Sequence, residues 1–441
     1  MKKHQNQIND LVAYKNALLI DPATKLNIAG GILVENTKIV DVGSHLSGTN
    51  IPSHADIVDC FGAYLAPGLV DIRAHLGEPG EEHKETLDSA SQAAVAGGIT
   101  SLVCLPNTNP VIDDMSVVDF VARRARKLGL AKVYPYGAVT KSLSGKEIAE
   151  LGLLAKAGAV AFTDGFESIS NAHLMMQALL YADTFDLLIC QHPQEPALVS
   201  GGDMNAGDTA SRLGLAGIPK QAEVIIVERD IRLLESTGGR IHFSNLSTLE
   251  SVDAVRQAKN RGLQVTCDTA PPYFALNQLA IGDYRTYAKL SPPLRDETDR
   301  QAIVEGLIDG TIDCIASDHR PQDEESKRLP FSQAAVGGVG LETLLPISLE
   351  LFHNAHLELI DVINLLTYSP ASIMNLPAGR LEKGMPADFV LFDPLQGWKI
   401  NDQNLCSKSK NTPFDGRPVQ GVVLRTVVDG RAVFNIETNN N

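Results

Sequence analysis

The chain has no run of the roughly 20 apolar residues that a membrane-crossing helix needs. Its first stretch, MKKHQNQINDLVAYKNALL, also lacks the unbroken apolar segment of a signal peptide. There is no basic excess: 38 Lys and Arg stand against 53 Asp and Glu, for a formal charge of −15 and a pI near 5.2. That balance argues against a nucleic-acid surface, which needs clustered cations. No disulfide framework is visible. Cys60, Cys104, Cys190, Cys267, Cys314 and Cys406 are widely spaced, and four lie in apolar strand-like runs, which reads as buried free thiols in a reducing cytosol. Neither GxGxxG nor a P-loop follows the first apolar strand, so an open doubly wound nucleotide-binding sheet is the less attractive of two fold readings. The expected location is the cytoplasm, with neither nucleic acid nor membrane as partner.

What the sequence holds is a 441-residue chain, 44% hydrophobic, with 36 glycines and only 5% aromatics, the balance of an α/β protein built from small branched side chains. Residues 12 to 66 read as short strands, with a turn at Glu35-Asn36-Thr37, and ADFVLFD and VQGVVLRTVVDGRAVF repeat that character near the end. Between them, strand-like runs alternate with helix-like segments. The strands are expected at 69–75, 99–105, 132–139, 158–164, 186–192, 240–245, 263–269 and 311–318. KETLDSASQAAVAG, MSVVDFVARRARKLG and LESVDAVRQAKNRG are apolar at helical spacing and close on glycine. Such a repeat predicts a (β/α)8 TIM barrel over 67–375, with residues 1–66 and 376–441 forming one small β domain from both termini. The polar ends MKKHQNQ and NIETNNN are expected to fray.

A parallel barrel gathers its chemistry at the C-terminal ends of its strands. Arg73 and His75 end the first strand, Asn107 follows the second, and Asp164 ends the fourth. His192 ends the fifth, Asn245 the sixth, and Asp318-His319 the eighth. Alone, His75 or His192 would be a satisfied structural histidine, Asp164 or Asp318 a helix cap, and Asn107 a turn residue. Together on one rim they point to a site. His173, His242 and His319 remain open.

These residues and their flanks resemble the dihydroorotase family of the amidohydrolase superfamily. The family pattern D-x-H-x-H-L-R-E-P-G corresponds to Asp71-Ile72-Arg73-Ala74-His75-Leu76-Gly77-Glu78-Pro79-Gly80, and CLPNTNPV, GAVAFTDG, SPPLR, IASDHRPQ, VGLETLLP and LEKGMPADFVLFD follow in family order. The resemblance implies a metal-dependent barrel hydrolase that interconverts N-carbamoyl-aspartate and dihydroorotate in pyrimidine synthesis. It also implies zinc held at His75, Asp164, His192 and Asp318, with Asp318 as general acid and base and Asn107 on the substrate carboxylate. The same comparison marks four departures. Arg73 and Asn245 stand at ligand histidines, Gly77 at a substrate arginine and Gln322 at a substrate histidine, while Ala270-Pro271-Pro272-Tyr273 replaces T-x-H-H.

A guanidinium stays protonated and cannot ligate a cation, so the retained donors suit one zinc ion or none rather than two. Arg73 either takes the vacated metal position and pairs with one or both aspartates, or swings outward and leaves the rim to water. Two functions follow. The first is a dihydroorotase, or another cyclic amidase such as an allantoinase or hydantoinase, with an altered site. The second is a non-catalytic dihydroorotase-like subunit that binds aspartate carbamoyltransferase. A homo-oligomer is expected in either case, and the charged segment 320–330 reads as a mobile or solvated loop beside the site.

Overall fold

The computed structural model describes residues 11–47 and 50–436; the ends expected to fray lie largely outside them. Both termini build one eight-stranded sheet, in which Tyr64–Pro67 runs parallel to Leu11–Asp21 on one side and antiparallel to Phe389–Lys399 on the other. Leu26–Glu35 and Lys38–Gly43 extend one edge, and Pro418–Val428 and Arg431–Asn435 the other. The turn at Asn36 has φ +54°, a left-handed conformation that asparagine tolerates. Alternate side chains of these strands bury Ile32, Leu65, Phe389 and Val427, with Tyr14 edge-on to Phe389 at 4.8 Å.

Leu69–Ala74, Ile99–Cys104 and Lys132–Pro135 form one parallel group, and Leu188–Gln191, Arg240–Phe243, Val265–Thr269 and Cys314–Ile315 another. Parallel bridges close the ring between them: Gly137 to Phe162, Phe162 to Ile189, and His319 back to Ala74. The barrel is therefore complete, although two of its expected strands are short. The fourth, expected over 158–164, joins only around Phe162, because the Asp164 carboxylate takes the Val139 and Thr140 N–H groups that a longer ladder would use. The eighth, expected over 311–318, is limited to Cys314–Ile315; Asp318 at φ +48° cannot continue an extended strand.

The helices follow their sequence signals. Leu87–Ala96 starts at a Thr86 capping box with Ser89, Met115–Leu128 runs from Asp114 to Gly129 at φ +65°, and Leu249–Asn260 is capped by Thr248. Five of the cysteines are buried, Cys406 is exposed, and all six are free. Among the described residues no helix is long and apolar enough to cross a membrane. The segment 320–330 folds down: Asp323 caps a short helix, Glu324–Arg328, and Lys327 is buried with its amine donating to the Thr286 carbonyl.

Candidate functional site

The strand ends do converge, but Arg73 sits at the centre. Its side chain is 2% exposed, and Nε donates to Asp318 Oδ1 at 3.0 Å while Nη2 donates to the Gly165 carbonyl at 3.3 Å. Burial raises the Asp318 carboxyl above its ordinary range, opposed first by Arg73 and then by Asn245 and Arg320. Asn245, fully buried at φ +58°, approaches that carboxylate without closing a bond of standard geometry.

Asp164 is not turned toward this pair. Its Oδ1 accepts from Val139 N at 3.0 Å and Thr140 N at 2.9 Å, and its Oδ2 accepts from the Thr140 hydroxyl at 2.5 Å. Burial lifts its carboxyl to about 6 against these bonds. The carboxylate thus ties the fourth strand to the loop after the third. The Asp164 carbonyl accepts from Asn107 Nδ2 at 3.3 Å, and Asn107 fills the space beside Gly165, where an added Cβ would stand 1.6 Å from Asn107 Oδ1.

The two retained histidines are engaged through one nitrogen each. His75 Nε2 lies 2.7 Å from Glu81 Oε2, and a carboxylate only accepts, so the proton is on Nε2. Glu81 is drawn down to about 2 by His75 and Lys84, whereas burial holds the His75 imidazole below its usual range. Ser291 gives its hydroxyl proton to Gln194 Oε1 at 3.0 Å and so accepts from His192 Nε2 at 3.3 Å. Burial, then Arg73 and Arg320, push His192 well below its ordinary value, and it is a neutral imidazole.

These donors do not fit a divalent ion. Among the described residues no group of three or more His, Cys, Asp or Glu side chains is placed to hold one. The reason is local: Asp164 is spent on backbone N–H groups, Asp318 on a guanidinium that repels cations, and Asn245 offers at best a weak carbonyl donor. The zinc set expected at His75, Asp164, His192 and Asp318 is therefore not assembled. Of the two expectations for Arg73, it pairs inward, with Asp318 and not with Asp164.

The altered substrate positions have also been put to other uses. Gly77 has φ +70°, and a Cβ there would meet the Glu85 carbonyl oxygen at 2.4 Å. Gln322 turns its amide to the Val336 carbonyl at 2.8 Å, and the Tyr273 hydroxyl donates to the Pro292 carbonyl at 3.0 Å. His242 is held between Thr266 and Asp268, and His319 accepts from Gly340 N, so both are structural, while His173 lies at an exposed helix start. Sequence reasoning missed Arg320 and Phe166. The Arg320 guanidinium stands over the Phe166 ring at 3.7 Å, and the same ring has His75 edge-on at 5.6 Å and Arg73 at 5.9 Å. Arg320 lies inside the family stretch IASDHRPQ, but nothing in its spacing marks it as facing inward. The result is a mouth with two guanidinium groups in a protein of net charge −15.

A family model described as "Dihydro-orotase-like" matches residues 62–251. A dihydroorotase of Anaplasma phagocytophilum (strain HZ) is 46% identical over 97% of this chain and 96% of its own length. One of Wolbachia sp. subsp. Drosophila simulans (strain wRi) is 45% identical over 96% of each. Among solved structures, an L-hydantoinase (dihydropyrimidinase) from Arthrobacter aurescens superposes with TM-score 0.85 at 24% identity, covering 96% of both chains. A dihydropyrimidinase from Brevibacillus agri gives TM-score 0.81 at 21% identity, covering 96% of this chain and 95% of the other. At these identities the structural likeness shows the fold alone: a barrel with an attached β-sheet.

Proposed function

Since the chain belongs to the dihydroorotase family, we propose that it serves pyrimidine synthesis as a dihydroorotase-like subunit that binds and supports aspartate carbamoyltransferase, with little or no ring closure of its own. One observation carries this reading: the Arg73 guanidinium holds Asp318, the carboxylate that would have to move the proton, in a buried ion pair at 3.0 Å. That guanidinium occupies Asp318 Oδ1 and opposes the rise that burial gives its carboxyl, so it works against Asp318 taking up a proton. Among the described residues no metal ion is given a donor set that would activate water in its place. The reducing cytosol, suggested by six unpaired thiols, is part of the same reading.

The test combines two measurements on the purified, zinc-supplemented protein. Expected are retention of aspartate carbamoyltransferase in a pull-down and no cyclisation of N-carbamoyl-aspartate. Cyclisation that Asp318→Asn abolishes, with no carbamoyltransferase retained, would overturn the proposal. The second reading, a working dihydroorotase, is favoured by 46% identity over 97% of the chain to a protein named for that activity; Asp318 would then act as general acid and base. Rebuilding the histidines in Arg73→His/Asn245→His separates the two further. Equilibrium dialysis should find no tight zinc in the double variant, because Asp164 stays bound to Val139 and Thr140.

A further inference from the structure

The floor of the mouth is sealed. Arg73, His75, His192 and Asn245 are each no more than 2% exposed. The cavity beside Asp318 measures about 10 Å³, room for at most one water molecule. A small molecule reaches these groups only if a segment moves.

The segment placed to do so follows the eighth strand. Arg320 N donates to the Gly338 carbonyl at 2.8 Å, and Gly337, where a Cβ would stand 2.7 Å from Arg320 Cγ, donates to the Lys289 carbonyl at 3.0 Å. Between these two points, residues 321–336 run through the helix Glu324–Arg328 and back. The helix rests on Thr286–Ala288 through a reciprocal pair of bonds. The Thr286 hydroxyl donates to the Lys327 carbonyl at 2.6 Å, and the Lys327 amine donates to the Thr286 carbonyl at 3.1 Å.

Two buried lysines meet here on unequal terms. The Lys289 ammonium has an acceptor for each of its three N–H groups: Asp203 Oδ1 at 3.3 Å, the Phe331 carbonyl at 2.7 Å and the Ser332 carbonyl at 2.9 Å. Lys327, 3% exposed, has the Thr286 carbonyl alone and no ion pair among the described residues. The charged groups around it do not supply one. Arg320 and Lys289 are cations, Asp203 is taken by Lys289, and Arg285 is turned to the Asp415 carbonyl. Burial pushes the Tyr287 hydroxyl above its ordinary range. On the helix itself, Asp323 accepts from Ser326 N, Glu324 pairs with Arg328 at the surface, and Glu325 is exposed. Burial, then Arg320 and Lys289, bring the Lys327 amine down from 10.5 to about 7.

We infer that residues 321–336 form a proton-operated flap over the barrel mouth: the uncharged Lys327 amine is its latch, and a proton taken up there lifts the segment from Thr286–Ala288 and opens the way to His192 and Asn245. A released Lys327 regains its ordinary proton affinity, so the open form holds more protons than the closed one. From pH 10 down to 8 each unit multiplies the open fraction by up to about ten, and the rise levels off through 7, where the closed form is protonated as well. The flap works in this way whether or not the site turns over.

Hydrogen exchange of the full chain at pH 8 and 9, each rate divided by that of an unstructured amide, tests the latch. The Ala334, Ala335 and Gly337 amides bond within the flap or across its base. Their protection should be about tenfold higher at pH 9 than at pH 8 in the wild type and equal at both in Lys327→Met. Thr286→Val, which removes the hydroxyl bond and leaves the amine, should lower protection at both values and keep the tenfold ratio. If Lys327→Met does not fold, Lys327→Arg, charged throughout, should show the same low protection at both. A wild-type protection independent of pH, or a ratio that survives Lys327→Met, would overturn the latch. Flap amides as protected as those of Leu188–Gln191 would overturn the flap, since the segment would then open only with the whole barrel. Access to the mouth is read from diethyl pyrocarbonate modification of His192, a neutral imidazole, relative to exposed His173. That ratio should be about tenfold higher at pH 8 than at pH 9 in the wild type and the same at both in Lys327→Met. A His192 that stays unmodified while the flap amides exchange would overturn the gate.

Discussion

Replacing Arg73 by methionine removes a charge from the centre of the barrel while keeping most of its volume, so the loss reports electrostatics more than cavity formation. Arg73 is 2% exposed and the Asp318 side chain 10%, so solvent does little to screen the carboxylate left behind. Removing one partner of such a buried pair typically costs about 3–5 kcal/mol. The lower end, about 3 kcal/mol, is expected here, because Asn245 and Arg320 still favour the charged form of Asp318. The double variant Arg73→Met/Asp318→Asn should recover more than half of the loss, since no unpaired charge remains. Urea unfolding followed by circular dichroism measures both. A single-variant loss below about 1 kcal/mol, the range of an exposed ion pair, would refute the buried lock. So would a double variant no more stable than the single one.

Other consequences can be measured on the same protein. Lys327, brought down to about 7 from 10.5, leaves the folded chain with fewer protons than the unfolded chain between those values, so stability should rise with pH across that window. The slope is at most about 1.4 kcal/mol per pH unit, and Lys327→Met should remove it; unfolding at pH 7 and 9 in both proteins decides. Gly77→Ala should destabilise by roughly 2 kcal/mol, since φ is +70° and the Cβ would meet the Glu85 carbonyl at 2.4 Å; an unchanged thermal midpoint would contradict this. Native protein should react with a thiol reagent at Cys406 alone, and slowly, because burial and Glu342 push that thiol up to about 11. Two or more fast thiols per chain would contradict the buried positions of the other five.

The alternation of apolar runs and glycine-closed helices made the barrel legible, because burial of a parallel sheet on both faces imposes that pattern on the sequence directly. The ends of strands were less legible. Asp164 and Asp318 read as site carboxylates, yet only one points into the mouth; hydrogen bonds from Val139 and Thr140, set by the loop after another strand, decide where the Asp164 side chain goes. Arg73 was legible as an anomaly, and its partner only as a choice of two. Arg320 was not legible at all, since its orientation depends on Phe166, which lies more than a hundred residues earlier on another strand end. The inserted pair Met204–Asn205 and Gly217–Ile218 also escaped notice, because two-residue strands leave no periodicity.

The place of Tyr64–Pro67 in the sheet has a consequence for synthesis. Its antiparallel neighbour, Phe389–Lys399, leaves the ribosome roughly 320 residues later, on the order of 16–65 s at 5–20 residues per second. Throughout that interval the nascent chain carries an open edge, with the Leu65 and Ala66 side chains uncovered. Nascent chains of this protein are therefore expected to need a holding chaperone until the C-terminal strands emerge, and truncations ending before Phe389 should aggregate even though every strand of the barrel is present.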